Sequence, residues 1–160
     1  MRDSIRYQGA IIRDHHILLL KQVEHASGRS YWQIPGGGIE PDESEEQCVL
    51  REMLEETGLS VQVVSLLLDE PSLPGSIYQG WKTYRCSILA GEARPGCEPE
   101  AVYANAYSFT EVGWFDLRHP ATWNERLEAD SYIYAWLQRI RAVLGYTVAP
   151  GLQDRMESLV

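Results

Sequence analysis

The sequence has few of the features that mark membrane, secreted or nucleic-acid-binding proteins. It contains no run of about 18 apolar residues, so no membrane span and no membrane partner are expected. The first residues lack the apolar run of a signal peptide, and the three cysteines are odd in number and lack metal-site spacing. We therefore expect a reducing, cytoplasmic location. Only 14 Lys and Arg residues stand against 23 Asp and Glu, and the net charge of −9 argues against a nucleic-acid partner.

Several familiar catalytic and nucleotide-binding motifs are also missing. The run Pro35-Gly36-Gly37-Gly38 is not followed by the Gly-Lys-Ser/Thr of a P-loop. It does not continue to the third glycine of a dinucleotide fingerprint, because Pro41 stands there. No Ser-His-Asp or Cys-His arrangement is evident. The glycine run by itself predicts a turn, and any catalytic role for it depends on the residues after it.

Length and composition predict one globular domain. With 160 residues, 44% of them hydrophobic, the chain can bury a single core. We expect the domain to cover residues 1–146, followed by a C-terminal tail at 147–160, and a homodimer is compatible with that tail. Alternating and helical periodicities predict the secondary structure. The expected strands are 4–13, 17–23, 31–34, 61–68, 77–89 and 112–116, and the expected helices are 44–57 and 121–144.

The first predicted helix has clear signals at both ends. Ser44 is a good N-cap, and Gln47 three residues later completes a capping box. Acidic residues crowd the first turn, where the helix dipole favours negative charge. Gly58 is a fitting C-terminal stop. The apolar residues at three- and four-residue steps predict the buried side of the helix: Val49, Leu50, Met53 and Leu54.

Three carboxylates share another face of this helix. Glu52, Glu55 and Glu56 are spaced at i, i+3 and i+4, and like charges at this spacing cost roughly 0.2–0.5 kcal/mol per pair. A bound cation removes that repulsion, and carboxylate oxygens are the ligands that Mg²⁺ and Mn²⁺ prefer. The helix follows directly on the glycine run, and Arg51 is placed to reach back to Glu43. This arrangement suits holding divalent cations against a phosphate chain.

The stretch 37–59 resembles the signature of the Nudix hydrolases. Gly37 is followed by five residues, Glu43, seven residues and then Arg51-Glu52-Met53-Leu54-Glu55-Glu56-Thr57-Gly58-Leu59, which fills every fixed position. The resemblance covers 23 of the 160 residues. It implies an α/β/α sandwich on a mixed β-sheet and hydrolysis of a pyrophosphate bond by water with Mg²⁺ or Mn²⁺. It also implies roles for individual residues: Glu52, Glu55 and Glu56 as metal ligands, Glu43 and Arg51 as supporting residues, and Gly37 and Gly38 as the loop that faces the phosphates.

Other candidate site residues carry weaker signals. A further carboxylate often completes the metal set in the family, and Glu98, Glu100 and Glu111 all precede the apolar pair Trp114-Phe115. Each is an ordinary surface carboxylate in the simplest interpretation, and Glu100 is slightly favoured as the additional ligand. Lys21, at the end of the second predicted strand, is a candidate contact for the phosphates. Five aromatic residues could stack a nucleobase: Tyr78, Trp81, Tyr84, Tyr103 and Tyr107.

The expected function is metal-dependent hydrolysis of a nucleoside diphosphate linked to another group, such as a nucleoside triphosphate or ADP-ribose. Two other interpretations remain open. One is a Nudix-fold module that binds a nucleotide without cleaving it. The other is an interaction protein whose acidic helix face is merely solvated. The complete set of motif residues argues against both. Substrate specificity is expected in the variable loops 69–76 and 90–103, and their sequences do not identify the substrate.

Overall fold

The computed structural model describes residues 4–71, 74–97, 105–128 and 131–146. These ranges contain seven strands, two α-helices and one short 3-10 helix. In chain order they are β1 Ile5–Arg13, β2 His16–Glu24, β3 Ser30–Gln33, β4 Gly36–Gly38, α1 Glu45–Thr57, β5 Ser60–Pro71, β6 Gly80–Ala90, β7 Tyr107–Asp116, the 3-10 helix Pro120–Trp123 and α2 Tyr132–Leu144. The predicted tail 147–160 lies outside the described residues, and the domain boundary at residue 146 and the homodimer stay predictions.

The strands form one mixed sheet in the order β3-β2-β1-β6-β5, with β4 paired to β1 and β7 paired to β2. Only β1 and β6 run parallel among the described strand pairs. The pairing of β1 with β2 consists of Ile12↔Ile17 and Arg13↔His16. Nearer the start of β1, β4 takes the place of β2. The sheet therefore opens into two halves beside the glycine strand β4.

One helix covers each face of the sheet. Successive residues of β2 alternate between the two cores, as strand geometry requires. Leu18 packs in the core with Val49 and Met53 of α1, whereas Leu19 packs in the core with Leu137 of α2. Two helical layers on a mixed sheet confirm the predicted α/β/α sandwich.

The predicted ends of α1 are confirmed in detail. The Ser44 side chain accepts a hydrogen bond from the Gln47 backbone at 3.1 Å, and the Gln47 side chain accepts one from the Ser44 backbone at 2.9 Å. Gly58 ends the helix with a φ of 74°, in the left-handed region that favours glycine. The local sequence thus determines where the carboxylate helix begins and ends.

The prediction of one continuous helix over 121–144 is wrong. The chain makes the 3-10 helix Pro120–Trp123 and then turns, and α2 starts only after a new N-cap, Ser131, whose side chain accepts from the Tyr134 backbone. The Trp123 indole donates to the Asp116 carbonyl at 2.8 Å and anchors the short helix to the end of β7. The apolar residues before and after the turns both follow a helical period, so the sequence pattern did not reveal this interruption.

Smaller differences concern turns and strand ends. Asp14 and His15 form the two-residue turn between β1 and β2, both with positive φ. His16, which lies between the expected strands 4–13 and 17–23, is the first residue of β2. All three cysteines are free thiols: Cys48 and Cys86 are buried, and Cys97 is exposed. No helix among the described residues is long and apolar enough to cross a membrane.

Candidate active site

The carboxylates of α1 do not form a separate solvent face. Glu52 and Glu56 are buried, with 8% and 3% of their surface exposed, whereas Leu54 is 57% exposed. The predicted apolar stripe is therefore wrong at Leu54, because the buried side of the helix runs from Val49 and Met53 onto the two glutamates. Buried carboxylates are rare in proteins unless a partner stabilises them, so their surroundings determine what this helix does.

The glycine strand β4 supplies the nearest backbone. Glu56 Oε2 accepts a hydrogen bond from the Gly36 backbone N–H at 2.9 Å. A β-carbon built at Gly37 would lie 2.4 Å from Glu52 Oε1, so only glycine lets the strand lie this close to the carboxylate. The sequence interpretation of Pro35-Gly36-Gly37-Gly38 as a simple loop is corrected here, because residues 36–38 pair with β1 as a strand.

Arg51 connects most of the predicted site. Its guanidinium donates to Glu43 Oε1 at 2.8 Å, which confirms the predicted contact, and to the Gly38 carbonyl at 3.0 Å. The same group donates to Glu52 Oε1 at 2.8 Å and to Glu55 Oε2 at 3.2 Å. Arg51 thus holds the glycine strand, the residues before the helix and two of the three carboxylates in one network.

The electrostatics of the network favour added positive charge. Burial raises the pKa of Glu52, and the positive charges of Arg51 and Arg6 oppose that rise. Hydrogen bonds from Arg51 lower the pKa of Glu43, and the same contact raises the pKa of the guanidinium, which therefore stays charged. Burial makes the ionised form of Glu52 energetically unfavourable, and a nearby cation would stabilise that form.

Glu45 anchors the first turn of α1 to the sheet. Its carboxylate accepts hydrogen bonds from Lys82 Nζ at 2.9 Å, from the Tyr84 hydroxyl, and from the Tyr7 hydroxyl at 3.4 Å. The hydrogen bond from Tyr84 is the main cause that lowers the pKa of Glu45. Tyr84, predicted as a possible nucleobase contact, therefore binds the helix to the sheet.

The segment 91–97 holds the other end of α1. The Gly96 N–H donates to the Glu56 carbonyl at 2.7 Å, and the Arg94 N–H donates to the Thr57 carbonyl at 2.9 Å. These donors satisfy helix carbonyls that have no partner within the helix. Both ends of the carboxylate helix are thus fixed by contacts from distant parts of the chain.

The donor set fits a hard divalent cation. Glu52, Glu55 and Glu56 supply carboxylate oxygens on adjacent turns, next to a strand without side chains. Among the described residues, however, no three His, Cys, Asp or Glu side chains converge as they would around one ion. Arg51 explains this, because it engages Glu52 and Glu55. Arg51 contacts only Oε1 of Glu52 and only Oε2 of Glu55, so each carboxylate has a second oxygen for a cation.

Of the weaker sequence candidates, Lys21 and Glu111 are described by the structure and contact each other. Lys21 lies inside β2, not at its end, and its Nζ is 3.7 Å from Glu111 Oε2. Strand alternation puts Lys21 on the side of Leu19, the face covered by α2. Two other carboxylate candidates, Glu98 and Glu100, lie outside the described residues, as does Tyr103.

Sequence reasoning missed a residue beside β4. Arg6 pairs with Gly38 on one side and with Trp81 on the other. Its guanidinium lies near the rings of both Tyr78 and Trp81, at 5.9 and 5.5 Å from their centroids. The two aromatic residues were among the predicted nucleobase contacts. The only signal in the sequence was a basic residue near the start of a strand whose other charged residue, Arg13, stands at its end.

Comparison with known proteins decides the family. The model of the NUDIX domain matches residues 5–137. The chain belongs to the NUDIX family. Helix α1, β4 and Arg51 thus lie within the matched domain, and the predicted membership of the Nudix family is confirmed.

Individual relatives agree with the family match. A Caenorhabditis elegans protein of the nudix hydrolases is 32% identical over 120 residues, which cover 70% of this chain and 31% of that protein. The RNA pyrophosphohydrolase of Teredinibacter turnerae is 38% identical over 71 residues, which cover 44% of this chain and 37% of the relative. The chain thus spans about a third of the length of both. The E. coli ORF135 protein shares the fold, with a TM-score of 0.61 and 21% identity over 91% of this chain and 94% of that one.

Proposed function

We propose that this NUDIX protein hydrolyses a pyrophosphate bond in a nucleoside diphosphate derivative, such as a nucleoside triphosphate or ADP-ribose. The observation that carries the proposal is the burial of Glu52 and Glu56 against the side-chain-free strand β4. The Teredinibacter turnerae relative is named an RNA pyrophosphohydrolase, and this name supports cleavage of a pyrophosphate bond. The net charge of −9 favours a small substrate over a polynucleotide.

Glu52, Glu55 and Glu56 would hold Mg²⁺ or Mn²⁺ in this proposal. A divalent cation in such a site neutralises negative charge on the substrate and lowers the pKa of water. Arg51 would keep its contacts with Glu43 and the Gly38 carbonyl, so the glycine strand stays in place. The N–H of Gly36 fixes one oxygen of Glu56 and thereby orients the carboxylate. The extra ligand Glu100 and the phosphate contact Lys21 stay predictions.

Hydrolysis also needs a group that accepts a proton from water. Glu55, Glu56 and an acidic residue outside the motif are the candidates. Phosphoryl transfer depends on positioning and electrostatics more than on covalent chemistry, so no nucleophilic side chain is required. Besides the cation and water, the proposed reaction therefore uses carboxylates, Arg51 and backbone groups.

Phosphate release from a panel of substrates tests the proposal. The panel contains nucleoside triphosphates, ADP-ribose, nucleotide sugars, dinucleoside polyphosphates and an RNA with a 5′-triphosphate, each with Mg²⁺ and with chelator. Glu56→Gln removes one proposed ligand, and Glu46→Gln, on the exposed part of the same helix, is the matched control. We expect Mg²⁺-dependent cleavage of one substrate class that Glu56→Gln loses and Glu46→Gln keeps. Binding of a nucleotide without any cleavage would instead identify a binding module.

A further inference from the structure

Arg6 occupies the place where the sheet opens into two halves. It lies near the start of β1, where β4 has replaced β2 as the neighbouring strand. Its Nη2 donates to the Ile34 carbonyl at 3.1 Å, just before the glycine strand begins. Gly38 pairs with Arg6, and the preceding Gly37 contacts Glu52. Arg6 and Glu52 are thus neighbours of two consecutive glycines of β4.

The charge of Arg6 is not balanced by an ion pair. Among the described residues, no carboxylate oxygen lies within 4.0 Å of its guanidinium, although the protein has 23 acidic and 14 basic residues. The side chain is half-buried. A partly desolvated guanidinium gains most from an anionic partner, and its planar donors match the oxygens of phosphate.

Two aromatic rings fix the direction of this charge. Tyr78 and Trp81 pack edge to face at 5.6 Å between centroids, and Arg6 lies near both rings. Trp81 packs in turn against Trp136 of α2 at 4.8 Å, so the cluster is tied to the core. Within the described part of the chain, the Arg6 side chain donates one hydrogen bond, to the Ile34 carbonyl, so others of its five N–H donors can meet a ligand. The guanidinium is therefore held in place before any substrate arrives.

We propose that Arg6 binds a phosphate of the substrate and is a specificity-determining residue for the diphosphate group. This inference rests on the proposed function, because it concerns the same site. The carboxylates of α1 repel a polyphosphate, and Arg6 supplies a fixed positive charge on the other side of β4. If Arg6 binds a phosphate, its contribution to affinity should be the same for every nucleobase. If it binds a base instead, its contribution should differ from one nucleobase to another.

Binding and kinetics of two Arg6 variants test the inference. Arg6→Gln removes the charge, and Arg6→Lys keeps it but loses the planar donors. Arg13→Gln is the matched control, since Arg13 ends the same strand and lies over the ring of Trp114, 4.4 Å from its centroid. The probes are ADP, GDP, CDP, UDP and inorganic pyrophosphate, titrated by calorimetry with Mg²⁺, together with KM and kcat for any cleaved substrate.

We expect Arg6→Gln to raise Kd for every probe, and KM for a cleaved substrate, by about 10- to 100-fold. Arg6→Lys should fall between this variant and the wild type, kcat should change less than KM, and Arg13→Gln should match the wild type. Unchanged Kd and KM in Arg6→Gln, an effect confined to one nucleobase, or no binding by the wild type would overturn the inference. Absence of cleavage with intact binding would contradict only the proposed hydrolysis, since Kd still reports on Arg6. If Arg6→Gln does not fold, Arg6→Lys decides by the same criteria.

Discussion

Gly37 and Glu52 lie so close together that a β-carbon at position 37 would be 2.4 Å from a carboxylate oxygen. A β-carbon has no torsion angle of its own that could relieve such a contact. The Glu52 side chain or strand β4 must therefore move. The adjacent glycine is different, because a β-carbon at Gly38 would meet only Tyr78, at 4.0 Å. A side chain at position 37 would therefore collide with Glu52, whereas a β-carbon at position 38 would not.

The first prediction compares alanine at these two positions. Gly37→Ala displaces Glu52, and we expect kcat to fall by at least about 100-fold, because small misplacements of catalytic groups are costly. Gly38→Ala leaves the carboxylates in place, so any effect should be confined to KM through the approach of substrate to the backbone. Steady-state kinetics at saturating Mg²⁺ measure both variants. A kcat for Gly37→Ala equal to that of Gly38→Ala would contradict the proposed role of Glu52.

The second prediction concerns the cost of the buried Glu52 carboxylate. Burial raises its pKa, so the stability contribution of Glu52 falls as pH rises from its ordinary pKa to the higher value in the fold. Above that range the cost is constant. We therefore expect Glu52→Gln to raise the metal-free Tm at pH 7, and this advantage should vanish below about pH 4.5, the ordinary pKa.

Mg²⁺ should reverse that order of stability. A cation that binds the folded protein alone raises Tm, so the wild type should gain stability from Mg²⁺ whereas Glu52→Gln should not. Differential scanning fluorimetry with chelator and with Mg²⁺ measures both effects, and Glu46→Gln serves as the control. An equal response of wild type and Glu52→Gln to Mg²⁺ would argue against Glu52 as a ligand.

Local signals explain which parts of the fold were predictable. The capping box of Ser44 and Gln47 and the left-handed Gly58 act within one turn of the chain, so the sequence predicts α1 closely. The burial of Glu52 and Glu56 in place of Leu54 depends on Arg51 and on the backbone of β4. Those partners come from the tertiary structure, and apolar spacing alone assigns the wrong side.

Tertiary pairing also explains the other missed features. Three consecutive glycines have no intrinsic preference for a strand, and β4 exists because β1 offers it hydrogen-bonding partners. Arg6 enters the candidate site through that same pairing, and Gly96 reaches α1 from a distant part of the chain. The motif residues could be predicted because they share one helix, whereas residues from separate strands meet only in the folded protein.

The third prediction tests the anchor of the helix N-terminus. Hydrogen bonds, first of all from Tyr84, lower the pKa of Glu45, so its stabilising contribution is present above the ordinary pKa and is lost as pH falls through the lowered value. We expect Glu45→Gln to destabilise the protein by about 1 kcal/mol at pH 7, since the carboxylate is partly exposed. Urea unfolding at pH 7 and at pH 3 measures the change, which should shrink at the lower pH. The neighbouring Glu46→Gln loses only the favourable interaction with the helix dipole and should show a smaller change.

The fourth prediction tests the contact at the helix C-terminus. A β-carbon at Gly96 would lie 1.9 Å from the Glu55 carbonyl oxygen, so Gly96→Ala must push the segment 91–97 away from α1. We expect a loss of roughly 1–3 kcal/mol in the free energy of unfolding, as for other overpacked contacts. Glu55 and Glu56 are in the turn that loses this contact, so kcat should also fall at temperatures where the variant is fully folded.

Gly28 provides the matched control for this substitution. It also stands outside helices and strands and has a φ of 71°, yet a β-carbon there would meet no atom within 4 Å. Gly28→Ala should therefore cost about 1 kcal/mol of backbone strain and leave kcat unchanged. Urea unfolding and kinetics of the two variants separate general destabilisation from displacement of the carboxylates. If Gly96→Ala keeps the wild-type kcat while losing stability, the segment 91–97 supports the fold without positioning Glu55 and Glu56.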